Sequence, residues 1–140
     1  MEKAKKLLKF WSLPVAWALI IFTLSSRPTR EVTEIYWQDF ILKKTFHLIE
    51  YGLLFLLLFR ALKNTTQEKI FKLALIAFVL AVLYGASDEY HQNFVPGRQG
   101  LARDVIIDSF GAGLVWLGLW KWLPKAPKKL KNWAKRLEIN

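Results

Sequence analysis

The chain has no cysteine, which excludes disulfides, thiol nucleophiles and cysteine-ligated zinc. No small-residue cleavage site follows its first apolar run, and Pro28 stands where one would be expected, so a cleavable signal peptide is not expected. Also missing are a Ser-His-Asp order, a phosphate-cradling glycine loop and a pair of zinc-spaced histidines. Acidic residues are scarce, with 11 Asp and Glu against 21 Lys and Arg, for a net charge of +10. A surplus of that size suits nucleic acid, but its distribution does not: the Lys and Arg flank apolar runs instead of tiling a soluble face. No nucleic-acid partner is expected, and 140 residues leave room for one domain over 1–140.

What the chain does have is apolar bulk. Hydrophobic residues make up 54%, with 7 Trp, more than a soluble core of this size can hide. They fall into four blocks, at about 10–24, 45–62, 70–87 and 104–123, with Pro14 in the opening turn of the first. Each approaches the ~20 residues that a bilayer requires. A soluble bundle would need wide polar faces, and neither Ala74–Ala86 nor Ser109–Trp120 has one. The expected fold class is therefore an all-α membrane protein, a bundle of four transmembrane helices.

Charge sets the expected orientation. Lys3, Lys5, Lys6 and Lys9 precede the first block, Arg60, Lys63, Lys69 and Lys72 surround the link between the second and third, and the tail after Lys121 is rich in lysine. The other side holds Arg27, Arg30, Lys43, Lys44, Arg98 and Arg103, together with most of the acidic residues. The positive-inside rule places both termini in the cytoplasm and the loops 25–44 and 88–103 outside, as in a multi-pass protein of the bacterial cytoplasmic membrane. The ends, 1–9 and 125–140, are basic and amphipathic. Ala4, Leu7, Leu8 and Trp11, and again Leu130, Trp133, Ala134 and Leu137, recur at helical spacing, which suits anionic lipid at the cytoplasmic surface.

The informative residues are the ionisable ones in or beside the blocks: His47, Glu50, Asp88, Glu89, His91, Arg98, Arg103, Asp104 and Asp108. At the α-helical rise, Glu50 stands about 15 Å above Arg60 and Asp108 about 20 Å above Lys121. Both lie within a ~30 Å hydrocarbon core, where a carboxylate must face a cavity or a partner. Helical spacing gathers His47, Glu50 and Tyr51 on one face, Asp88 and His91 on another, and Asp104 and Asp108 on a third. The structural alternative is that these residues pair off to brace the helices, with Arg98 or Arg103 bridging Asp104 and Glu89.

The run DEYHQNFVPGRQGLARDVIIDSFGAGLVWLG, from Asp88 to Gly118, resembles the signature of the VanZ-like membrane proteins. FTLSSRP, from Phe22, and KKTFHLIEYGLLFLLL, from Lys43, are similar to that family's other two blocks. The match runs in order from Phe22 to Gly118 and carries over Ser25, Ser26, His47, Glu50, Tyr51, Asp88, Glu89, His91, Gln92, Pro96, Gly97, Arg98, Asp104, Asp108 and Gly111. The resemblance implies an integral membrane protein associated with resistance to glycopeptide antibiotics, teicoplanin above all. It supplies a context but no reaction.

The residues narrow the chemistry further. Pro96-Gly97 forces a turn, and Phe94 and Val95 make its approach apolar, as a re-entrant outer loop requires. Such a loop delivers Arg98 to the polar faces, where its fork suits a phosphate or carboxylate. His47 or His91 is a candidate general base, with Glu50 or Asp88 orienting the ring. Ser25, Ser26 and Ser87 are candidate nucleophiles, although serine at a helix end is more often a cap. The expected site is thus His47, Glu50, Asp88, His91 and Asp108 as catalytic groups, with Ser25, Ser26, Tyr51, Glu89, Gln92, Arg98 and Asp104 contacting a bound group. The expected ligand is an anionic lipid-linked head group, a cell-wall precursor or the glycopeptide itself. Metal, cofactor and oligomeric state stay open at this level. So do two other functions, a non-catalytic assembly protein and a small ion or proton transporter.

Overall fold

The computed structural model describes residues 2–28 and 36–139. Arg30, part of the outer-side charge pattern, lies outside the described residues, as do Met1 and Asn140. Four long helices follow one another: α1 (Glu2–Ser25), α2 (Tyr36–Thr65), α3 (Ile70–Gln92) and α4 (Ala102–Leu117). A π turn, Gly118–Trp122, and a 3-10 turn, Leu123–Lys125, lead on to a short helix, α5 (Lys128–Arg136). No strand occurs among the described residues.

Three segments are long and apolar enough to cross a membrane: Glu2–Ser25, Trp37–Thr65 and Ile70–Gln92. The 16 residues of α4 reach about 24 Å on their own, and helical winding continues through the π turn. The first two helices begin earlier than the apolar blocks suggest. Lys, Leu and Ala are good helix formers, so α1 winds straight through the basic end from Glu2. Pro14 therefore sits inside α1, not in its opening turn. It removes one backbone donor, a defect that apolar helices packed on neighbours tolerate. Likewise α2 starts at Tyr36 instead of Thr45 and carries Asp39, Lys43 and Lys44 into the bundle's polar end.

Helix packing rests on small residues. Ala74, Ala77, Ala81 and Gly85 are all buried along one face of α3, at spacings that keep them in line and let backbones approach. The tightest crossing is between α2 and α4. A Cβ on Gly111 would overlap the Leu48 carbonyl oxygen, and one on Gly52 would lie 2.9 Å from Val115 Cγ2. Large apolar side chains such as Leu19, Ile49, Leu83, Ile106 and Phe110 point outward, as on a helix bundle solvated by lipid.

At the opposite end the tail folds back onto the bundle. Ile139 N donates to Ala134 O at 3.1 Å and Glu138 N to Lys135 O at 2.9 Å, with Glu138 at φ 59°, which is a Schellman ending. Arg60 grips this ending, donating from Nε to Leu137 O at 2.8 Å and from Nη2 to Glu138 Oε2 at 2.6 Å. Lys9 Nζ adds a bond to Glu138 Oε1 at 3.1 Å. The Lys9 and Arg60 donors hold the Glu138 carboxyl below the usual carboxylate range. Leu130 and Trp133 are exposed, but Ala134 and Ile139 are buried. The basic tail is thus docked on protein along one side and does not simply lie on a surface.

Candidate functional site

The α2–α4 glycine crossing decides what meets what. Leu48 and Gly111 touch through backbone, so His47, beside Leu48, and Asp108, one turn before Gly111, are brought together. His47 Nδ1 and Asp108 Oδ1 are 3.2 Å apart. The Asp108 carboxyl at that position orients the imidazole ring. This pairing differs from the sequence-based expectation, in which Glu50 orients His47. Residues three apart on one helix share a face, yet the shortest approach here comes from the neighbouring helix.

Asp88 forms a second centre between α1, α2 and α3. It accepts from Ser25 Oγ at 2.5 Å, from Gln92 Nε2 at 2.9 Å and from Tyr51 OH at 3.4 Å. Three donors converge on it, and His91 is not among them. The Ser25 hydroxyl goes to Asp88 and not to a histidine, so the arrangement is a buried polar tie between helices. Ser26 instead bonds back to Phe22 O at 2.6 Å, a capping contact.

A third pair closes the polar end. Lys44 Nζ meets Asp104 Oδ2 at 2.7 Å, and Arg103 Nε lies 3.5 Å from Asp104 Oδ1. Both cations also stand over the Phe40 ring, at 5.8 Å and 5.5 Å from its centroid. Lys44 is the residue that sequence reasoning undervalued. It lies three positions before His47, on the same helical face, which is the signal that marks it.

The turn expected at Pro96-Gly97 forms. Gly97 has φ 76° and Arg98 N donates to Val95 O at 3.1 Å, a type II turn with proline and glycine where that turn requires them. Val95 is buried, whereas Phe94 is 70% exposed. Arg98 does not bridge Glu89, Asp104 or Asp108. Its Nε donates to Arg27 O at 2.8 Å and its Nη2 to Leu24 O at 3.2 Å, capping the carbonyl end of α1. His91 packs its ring against Phe22, with centroids 4.5 Å apart.

These groups surround a cavity of about 790 Å³. Its walls include Ser25 from α1, Lys44, His47 and Glu50 from α2, Asp88 and Gln92 from α3, Arg98 from the loop, and Arg103 and Asp104 from α4. Tyr51, Glu89 and Asp108 are buried behind it, and Ser26 and His91 do not line it. The Glu50 backbone oxygen accepts from Trp17 Nε1 at 3.0 Å, while its side chain lines the cavity. Beneath it, Glu89 accepts Leu101 N at 3.0 Å through Oε2, while Glu89 Oε1, Asp108 Oδ2 and His91 Nδ1 are buried without a partner. His47, Glu89 and Asp108 converge, with one donor atom from each lying within 4.8 Å of the others.

A helical protein with membrane-length apolar helices and a polar chamber at one end of the bundle is the class that fold and site define. The chain matches the VanZ/LLP1 family model over residues 4–123 and belongs to that family. No curated protein and no solved structure matches it.

Proposed function

We propose that this chain is a four-span protein of the bacterial cytoplasmic membrane that holds the anionic head group of an envelope lipid or lipid-linked cell-wall precursor in its outward-facing cavity. The fourth span is α4 with its π turn, whose combined winding lengthens it toward the ~30 Å core. The lysine-rich ends make the tail side cytoplasmic, which turns the cavity to the outer face. Anionic lipid binds along α5, through its exposed Leu130 and Trp133. Glycopeptide resistance is the physiological setting that fits such a ligand.

The observation that carries this reading is the cavity itself. Side chains whose only task is to brace helices would be fully paired and dry. Here about 790 Å³ of space is lined by Lys44, Arg98 and Arg103, with buried unpartnered polar atoms beneath it. Arg98 offers the remaining donors of its fork, and His47, oriented by Asp108, supplies an acid–base group beside the bound anion.

A second reading, a non-catalytic assembly protein, is favoured by Asp88, whose donors come from α1, α2 and α3 and tie them together. Binding separates the two. Purified wild type, Lys44→Gln and Arg103→Gln are compared for retention of a lipid-linked pyrophosphate precursor against a neutral diacylglycerol. Head-group capture requires at least tenfold weaker precursor binding by both variants, with neutral lipid unchanged. Equal retention of both lipids by all three proteins sinks it in favour of the assembly reading.

A further inference from the structure

We propose that His47, Glu89 and Asp108 bind a divalent first-row metal ion, zinc or manganese, at the floor of the cavity. The proposal does not rest on the head-group reading, because the ligands are all the protein's own.

The two carboxylates are among the most buried groups in the chain, Glu89 at 4% and Asp108 at 1% exposure. Each has one oxygen satisfied, by Leu101 N and by His47. Each has its other oxygen, Glu89 Oε1 and Asp108 Oδ2, buried with no partner. Two neighbouring carboxyls, each with an orphaned buried oxygen, have given up water without gaining a protein partner for it. The cations around them do not relieve this: Lys44 is paired with Asp104 at 2.7 Å, and Arg98 is turned to the carbonyls of Leu24 and Arg27. A divalent ion matches the missing charge and uses the oxygens that are left over.

The geometry is close to that of a bound ion. Zn–N and Zn–O bonds of about 2.1 Å put two ligands of one ion no more than about 4.2 Å apart. The donor atoms here lie within 4.8 Å of one another, so a closure of roughly half an ångström completes the shell. The His47 Nδ1–Asp108 Oδ1 contact, at 3.2 Å, holds the imidazole beside the carboxylate whose other oxygen is free. Imidazole with two carboxylates is a donor set for zinc or manganese, not for the softer copper(I). The imidazole binds the ion through the nitrogen that carries no proton. Three protein ligands leave a position for water or for an anionic oxygen, and His47 lines the cavity from which either would come.

The test uses the full chain in detergent with any affinity tag removed. It is stripped with chelator, incubated separately with Zn²⁺ and Mn²⁺, desalted, and assayed for metal by mass spectrometry. About one equivalent of at least one ion is expected for wild type and for Glu68→Gln, which alters an exposed carboxylate in the α2–α3 link, away from the cavity. Less than a tenth of an equivalent is expected for Glu89→Gln and Asp108→Asn. A second readout does not depend on variants that fold poorly: pulsed electron paramagnetic resonance of Mn²⁺-loaded wild type should show coupling to a single imidazole nitrogen. Wild type retaining neither ion, no nitrogen coupling, or full retention by Glu89→Gln and Asp108→Asn would each overturn the site. The head-group reading would be untouched by any of these, since it is read from lipid binding by Lys44 and Arg103 variants.

Discussion

Replacing Gly111 with alanine tests whether the α2–α4 crossing builds the site. The new Cβ would lie 2.8 Å from Leu48 Cα and 2.9 Å from its carbonyl carbon, and would overlap the carbonyl oxygen. Comfortable carbon–carbon contact is about 3.5–4.0 Å, so the helices must part by about 1 Å. No side-chain rotation relieves the clash, because every obstructing atom is backbone. Overpacking of this kind costs about 1–3 kcal/mol, and the upper end applies here. The gain of about 1 kcal/mol from alanine's helix propensity offsets part of it. A net loss of about 2 kcal/mol is therefore expected. The same parting stretches the 3.2 Å His47–Asp108 contact beyond hydrogen-bonding range. Gly113→Ala is the internal control. Its Cβ would meet only Phe78 Cε2, at 3.8 Å, so stability should stay level or rise by up to about 1 kcal/mol. Unfolding in mixed micelles, followed by tryptophan fluorescence, measures both. If Gly111→Ala melts at or above wild type, or Gly113→Ala loses as much, the close crossing does not organise the site.

Other contacts make separate predictions. Asp88→Asn leaves one carbonyl oxygen where Ser25, Tyr51 and Gln92 now share a charged acceptor, so a loss of about 1–3 kcal/mol is expected in the same unfolding assay; a neutral outcome would show that the centre is not a tie. Arg98→Lys loses the fork that holds the Leu24 and Arg27 carbonyls together and should raise hydrogen exchange at Ser26 and Arg27 while the protein still inserts. The Glu138 carboxyl is held below its ordinary value near 4.5, so its contribution is present above that pH and is lost as pH falls through the depressed value. Hydrogen exchange at Leu137–Ile139, corrected for intrinsic rates, should accelerate in that acid window for wild type and be pH-independent for Glu138→Gln. Cysteines at exposed Gln99 and Lys128 should react with an impermeant reagent in intact cells at Gln99 alone, and labelling at Lys128 instead would invert the orientation. Gly100 is unsuitable for this purpose because a Cβ there would overlap the Glu89 carbonyl.

The helices and part of the polar cluster were legible in the sequence; the place of Lys44 and the pairing within the cluster were not. Apolar blocks bounded by charge mark the helices because burial in lipid tolerates little else. Helical spacing assigned His47, Glu50 and Tyr51 to one face of α2 correctly, but a face several side chains wide meets more than one neighbour. His47 turns to Asp108 on α4, Tyr51 to Asp88 on α3, and Glu50 to the cavity. Only the helix crossing sorts them, and it depends on Gly52 and Gly111, whose significance lies in what a missing Cβ allows. Arg98 shows the same gap from the other side. Its charge pointed to the carboxylates, whereas the type II turn at Pro96-Gly97 aims it at the carbonyl end of α1, a partner with no side-chain signature at all.

That division bears on how the site works. The group whose partners are settled, Asp88 with its three donors, lies where helices must be fixed to one another. The unsettled ones, Glu50 at the cavity wall and the spare oxygens of Glu89 and Asp108, gather along one path from cavity to floor. A protein gains no stability from burying polar atoms it does not pair. The rigid ties around them hold the unpaired atoms in place against that cost. The chamber is therefore a frame of paired groups around a few acceptors that it leaves unpaired.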